Sequence, residues 1–222
     1  MTALRQGMTQ YLCVIQFFAP SVLPQKPTKR LWVPGMRDKK ILWVDTETTG
    51  TDPGKNGIIQ LAGVLEINGQ EISSFDYKVR PFAEDVIEDT ALAVNGFTRE
   101  ELAGFMPPHD ARISFVQMLS AHVDRYDKRD KCFFAGYNGI FDLNFLHAFF
   151  KKCGDPYFGS YVWWPSIDVS VMAGHALMGV RHELPNFKLE TVAAHFGIKP
   201  QGEAHDAMTD IRMTMEIYRR LV

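Results

Sequence analysis

Ile41-Leu42-Trp43-Val44-Asp45-Thr46-Glu47-Thr48-Thr49-Gly50 decides how this chain folds. Four apolar residues in a row read as a buried central strand. Side chains alternate faces along a strand, so Asp45 and Glu47 leave it together and Thr46 leaves it on the other side. Two carboxylates on one face at a strand end repel each other, and a divalent cation with its preference for hard oxygen ligands removes that cost. Alone, the pattern is equally a turn with exposed acids. Outward from this strand, residues 57–67 and 71–79 read as two more strands joined by Asn68-Gly69, the dipeptide that most strongly signals a tight hairpin. Strands one to three are therefore expected to be antiparallel neighbours.

Further along, the pattern switches to helices alternating with strands. Residues 111–126, 143–152, 167–178, 189–196 and 207–221 carry helical signals, and 132–136 reads as a fourth, buried strand. A meander followed by such alternation predicts a mixed sheet covered by helices. Residues 1–40 differ. Pro20, Pro24, Pro27 and Pro34 punctuate a stretch with seven basic residues and one acidic residue, read as an arm that docks a protein partner or nucleic acid, or as lying upstream of a start at Met36. The compact part, 41–222, holds 17 basic and 25 acidic residues. An acidic body is poorly suited to gripping phosphates by charge alone but suits carboxylates that hold cations.

Composition narrows the class. Nearly half the residues are apolar, enough for a core without disulfides. Cys13, Cys132 and Cys153 are odd in number and widely spaced, which favours free thiols, a cytoplasmic setting and no zinc site. No apolar run is long enough for a membrane span.

Two more elements complete a constellation. Tyr137-Asn138-Gly139-Ile140-Phe141-Asp142 follows the fourth strand and opens a helix, where α/β sheets place ligands. Asp142 and Asn138 are also ordinary helix-start residues. His205-Asp206-Ala207-Met208-Thr209-Asp210 precedes the last helix. His205 and Asp210 are five apart, about 140° of helical rotation, so His205 belongs on the loop and Asp210 on the helix. Asp206 is either the N-cap or, four residues from Asp210, a rival ligand.

With these three ordered motifs, the chain resembles the DEDDh exonucleases, the family of the proofreading subunit of bacterial replicative polymerases. The resemblance covers about residues 41–221. It implies a ribonuclease H-like α/β fold, a five-stranded mixed sheet with helices on both faces, whose fifth strand would lie near 163–168. It makes Asp45, Glu47, Asp142 and Asp210 the metal-binding carboxylates for two Mg²⁺ or Mn²⁺ ions and His205 the general base. The histidine form has four residues between His and Asp, as here. The expected activity is 3′–5′ hydrolysis of single-stranded DNA to nucleoside 5′-monophosphates, with RNA trimming or a non-catalytic scaffold role as alternatives. Thr48, Thr49 and Asn138 are candidates for contacting the terminal nucleotide, and Ile59 for an apolar wall against its base; Ile58 and Phe141 read as core. A polymerase or another nucleic-acid-processing protein is the partner expected for residues 1–40. Two positions depart from the family pattern: Tyr137 stands where histidine is common, and Gln60 where an acid is common. The aromatic cluster Tyr157, Phe158, Tyr161, Trp163 and Trp164 reads as core or interface before it reads as a base-stacking surface.

Overall fold

The computed structural model describes residues 38–200, 202 and 206–222. The expected arm falls almost wholly outside this range. Of the arm, Asp38, Lys39 and Lys40 fall inside it: Lys40 begins the first strand, and Asn68 N–H donates to Lys39 O at 2.8 Å just before it.

Five strands form one sheet: β1 (Lys40–Thr48), β2 (Ile58–Ile67), β3 (Gln70–Lys78), β4 (Cys132–Gly136) and β5 (Val162–Asp168). Their order across the sheet is β3-β2-β1-β4-β5. β1, β2 and β3 pair antiparallel, while β4 and β5 run parallel to β1 and to each other. The hairpin turns at Asn68 and Gly69, both with positive φ (55° and 83°), as the Asn-Gly signal requires. The expected mixed sheet, including its fifth strand, is the one observed.

Helices cover both faces. α1 (Asp89–Asn95), α2 (Arg99–Ala103) and α3 (Pro108–Ser120) follow the meander, and α4 (Ile140–Lys152) follows β4. α5 (Val169–Ala176), α6 (Leu189–His195) and α7 (Ala207–Leu221) follow β5. Alternation in β1 assigns the two faces. Leu42 and Val44 pack with Phe115 of α3 and Leu143, Leu146 and Phe150 of α4. Ile41 and Trp43 pack with Val169, Val192, Ile211 and Met215 of α5, α6 and α7. Continuing the alternation puts Asp45 and Glu47 on the α7 side and Thr46 on the α4 side.

Several boundaries differ from the sequence reading for identifiable reasons. α3 starts at Pro108, a residue suited to the first helical position because its missing N–H is not needed there. α5 starts after Asp168, whose carboxylate accepts from Ser170 N–H, so Ile167 and Asp168 belong to the strand. α1 and α2 were not expected. Each spans less than two turns, too short for a helical period to register. No helix of the described residues is long and apolar enough to cross a membrane.

Candidate active site

The site forms where β1 and β4 end and where α4 and α7 begin. Gly136 closes β4 and Gly139 precedes α4. A Cβ on Gly136 would lie 3.1 Å from the Gly139 Cα and 3.1 Å from Val44 O. A Cβ on Gly139 would lie 3.1 Å from Gly136 N. A side chain at either position would crowd this tight turn, which carries Asp142 in the first turn of α4 onto β1. There Asp142 Oδ1 accepts from Thr46 N–H at 2.9 Å and Thr46 Oγ1–H at 2.8 Å. Thr46 thus ties the second motif to the first, a role its own position between two acids does not advertise.

Asn138 sits exposed in that turn with φ 61°, a left-handed conformation asparagine tolerates. Its N–H donates to Asp168 Oδ1 at 3.2 Å. Tyr137 O–H donates to Phe187 O at 2.8 Å, joining the motif to the segment before α6.

α7 supplies the third carboxylate position. Asp206 is its N-cap: Oδ2 accepts from Thr209 N–H and Thr209 Oγ1, both at 3.1 Å. The sequence left Asp206 open as cap or ligand, and this geometry makes it the cap. Asp210 follows in the first turn of α7, as expected. His205 lies outside the described residues.

The fold holds the carboxylates close enough for their charges to act on one another. Burial pushes Asp45 well above the ordinary carboxyl range, and the negative charges of Asp142, Glu47, Asp210 and Asp206 push it further. Burial raises Asp142 to about 7 against the pull of the two Thr46 hydrogen bonds. Mutual repulsion of this kind marks groups arranged for a task other than stability. Among the described residues, no three His, Cys, Asp or Glu side chains are already gathered as a ligand cage. The donor set is all carboxylate oxygen, which fits a hard divalent cation and not a thiophilic one.

Two of the four substrate-contact candidates are fully buried. Thr49 is fully buried, and its hydroxyl donates to Val86 O and accepts from Gly57 N–H. Ile59 is fully buried against Leu92 and Leu102 of α1 and α2. Thr48 is nearly buried, and its hydroxyl donates to Gly50 O at 2.7 Å. Of the four, Asn138 is the one exposed to an incoming nucleotide. Of the aromatic cluster, Phe158 and Tyr161 are buried, whereas Tyr157 and Trp164 are exposed.

Behind the first motif lies a buried polar knot that sequence reading missed. Asn56, 2% exposed, donates to Val86 O and Glu88 Oε1 and accepts from Asp52 N–H. Asn95 of α1 donates to Thr48 O at 2.9 Å. Lys152, the last residue of α4, donates to Asn56 O and to the fully buried Asp85 carboxylate. α4 is therefore held to the first motif at both ends.

The chain and its fold have counterparts among known proteins. The exonuclease family model RNase_T matches residues 42–218. The chain belongs to the RNase_T exonuclease family. Within it, the chain is 25% identical over 185 residues to a PolC-type DNA polymerase III of Thermotoga maritima, covering 83% of this chain and 12% of that relative. The chain thus spans about an eighth of the length of the curated relatives it matches. The exonuclease fold also superposes on E. coli Exonuclease I in complex with a dT13 oligonucleotide, with a TM-score of 0.66 at 21% identity, over 82% of this chain and 41% of that one. A zinc-bound E. coli Exonuclease I–single-stranded DNA complex gives 0.66 at 21% identity, over 82% and 40%. At such identity the likeness is one of fold, and it agrees with the ribonuclease H-like sheet.

Proposed function

We propose that this chain is a metal-dependent exonuclease that removes nucleoside 5′-monophosphates from the 3′ end of single-stranded DNA. The observation that carries the reading is the convergence of Asp45, Glu47, Asp142 and Asp210 on the end of β1, where the charges of the other three raise the proton affinity of Asp45 and that of Glu47 raises Asp142's. Membership of the exonuclease family supports hydrolysis of a nucleic-acid end. The fold shared with Exonuclease I bound to a dT13 oligonucleotide favours single-stranded DNA over RNA.

The four carboxylates are the groups to hold divalent cations, Mg²⁺ or Mn²⁺. Bound there, such ions supply an activated water and charge neutralisation at the phosphate. The chain's own residues do the rest. Thr46 orients the Asp142 carboxylate through two hydrogen bonds. Asp206 caps α7 and so fixes where Asp210 stands. His205, one residue before that cap, accepts the proton of the attacking water, a task suited to histidine near neutral pH. Exposed Asn138 contacts the terminal nucleotide.

The test is digestion of 5′-labelled single-stranded DNA and RNA with Mg²⁺, with EDTA, and with Asp45→Ala. A ladder shortening from the 3′ end, with DNA cleaved faster, is expected. The variant should lose about a thousandfold or more, as removal of several kcal/mol of metal-borne stabilisation implies. Folded protein that digests neither polymer overturns the reading.

A further inference from the structure

Glu47, Gln60 and Lys78 are register partners across β1, β2 and β3. Directly opposed residues in antiparallel pairs leave the sheet on the same face, so this row lies on the face of Asp45 and Glu47. Strands lie about 4.8 Å apart, which puts the Lys78 backbone about 10 Å from that of Glu47. The middle of the row is neutral: Gln60, 1% exposed, donates its amide to Asp76 Oδ1 at 2.9 Å. At the end of the row stands a cation. Lys78 Nζ lies 4.6 Å from the centroid of the Phe97 ring and, among the described residues, makes no ion pair. Phe97 is itself fixed, edge-on to Phe105 at 5.3 Å and packed on the cluster of Ile59, Leu92 and Leu102. The Lys78 backbone is pinned as well, its carbonyl accepting from Met106 N–H at 3.0 Å.

A polymeric substrate carries a phosphate on every nucleotide. Cations held by the carboxylates answer the phosphate being cleaved, but the next one meets the same acidic face without compensation. A lysine at the far end of this row, pre-oriented by a ring face, is placed to answer it. We propose that Lys78, seated on Phe97, clamps the phosphate on the 5′ side of the scissile one, and that α1 and α2 serve to build its aromatic seat. The inference rests on the exonuclease reading above.

Lys78→Met removes the charge but keeps an apolar chain that can contact the Phe97 ring, and Lys78→Arg keeps the charge. The probes are a labelled oligothymidylate and the p-nitrophenyl ester of thymidine 5′-monophosphate, which has no second phosphate. For Lys78→Met we expect KM on the oligomer to rise about tenfold, as for loss of one charged contact. We also expect kcat and ester hydrolysis unchanged, and the slope of log affinity against log salt shallower by about 0.7. Lys78→Arg should restore both. An oligomer KM and salt slope unchanged in Lys78→Met, with the ester still cleaved, overturns the clamp alone. Equal losses on oligomer and ester also overturn it, since they indicate a structural role. Wild-type protein that binds neither probe and cleaves neither overturns the exonuclease reading and the clamp with it.

Discussion

Replacing Asp142 by Asn should make the metal-free protein more stable while destroying its activity. The carboxyl of Asp142 is raised from its ordinary 3.8 to about 7, chiefly by burial. Between those pH values the folded chain holds a proton that the unfolded chain has released, so stability falls as pH climbs through that window. A gap of about 3 units at 1.36 kcal/mol each is about 4 kcal/mol at pH 8. Asn keeps an oxygen to accept from Thr46 N–H and Oγ1 and carries no charge, so most of that cost should vanish. For a domain of this size 1 kcal/mol shifts Tm by about 2–4 °C, so a gain of at least about 4 °C is expected at pH 8 in EDTA even if half the relief is realised. At pH 3.5, where the carboxyl is mostly protonated in both states, most of the gain should disappear. Saturating Mg²⁺ should raise the Tm of wild-type protein more than that of the variant. The assay is thermal unfolding across pH with and without metal. A variant no more stable than wild type at pH 8, or equally favoured at both pH values, refutes the reasoning.

Lys152→Met should cost about 3–5 kcal/mol because it strands the buried Asp85 charge, and adding Asp85→Leu should recover most of it; urea unfolding of the single and double variants checks this. Gly136→Ala drives a Cβ to 3.1 Å from two backbone atoms, so a loss of about 1–3 kcal/mol and weaker metal-induced stabilisation are expected in thermal melts. Asp206→Ala removes the α7 cap and should cost about 1 kcal/mol, with Asp206→Ser recovering most of it in the same melts.

The sequence made the sheet legible because its two strongest signals are local. The apolar run before Asp45 and the Asn-Gly turn depend on neighbours only, and both appear where expected. Asp142 and Asp210 were readable from motif spacing, and each lies in the first turn of its helix. What stayed hidden depends on distant partners. Thr46 gains its role from Asp142, 96 residues away. Thr49 reads as a candidate nucleotide contact from its hydroxyl just past the strand, and in the fold that hydroxyl is engaged by Val86 O and Gly57 N–H. α2 had one readable sign, the Thr98–Glu101 capping box, but with five residues it offered no period to support it.

The cap at Asp206 makes the start of α7 self-contained. Because Thr209 secures the start of α7 from within the helix, the register of Asp210 does not depend on how many residues precede Asp206. A change of length between α6 and His205 should therefore leave that carboxylate in place. Such a change leaves Asp206 and Asp210 four residues apart at the start of α7.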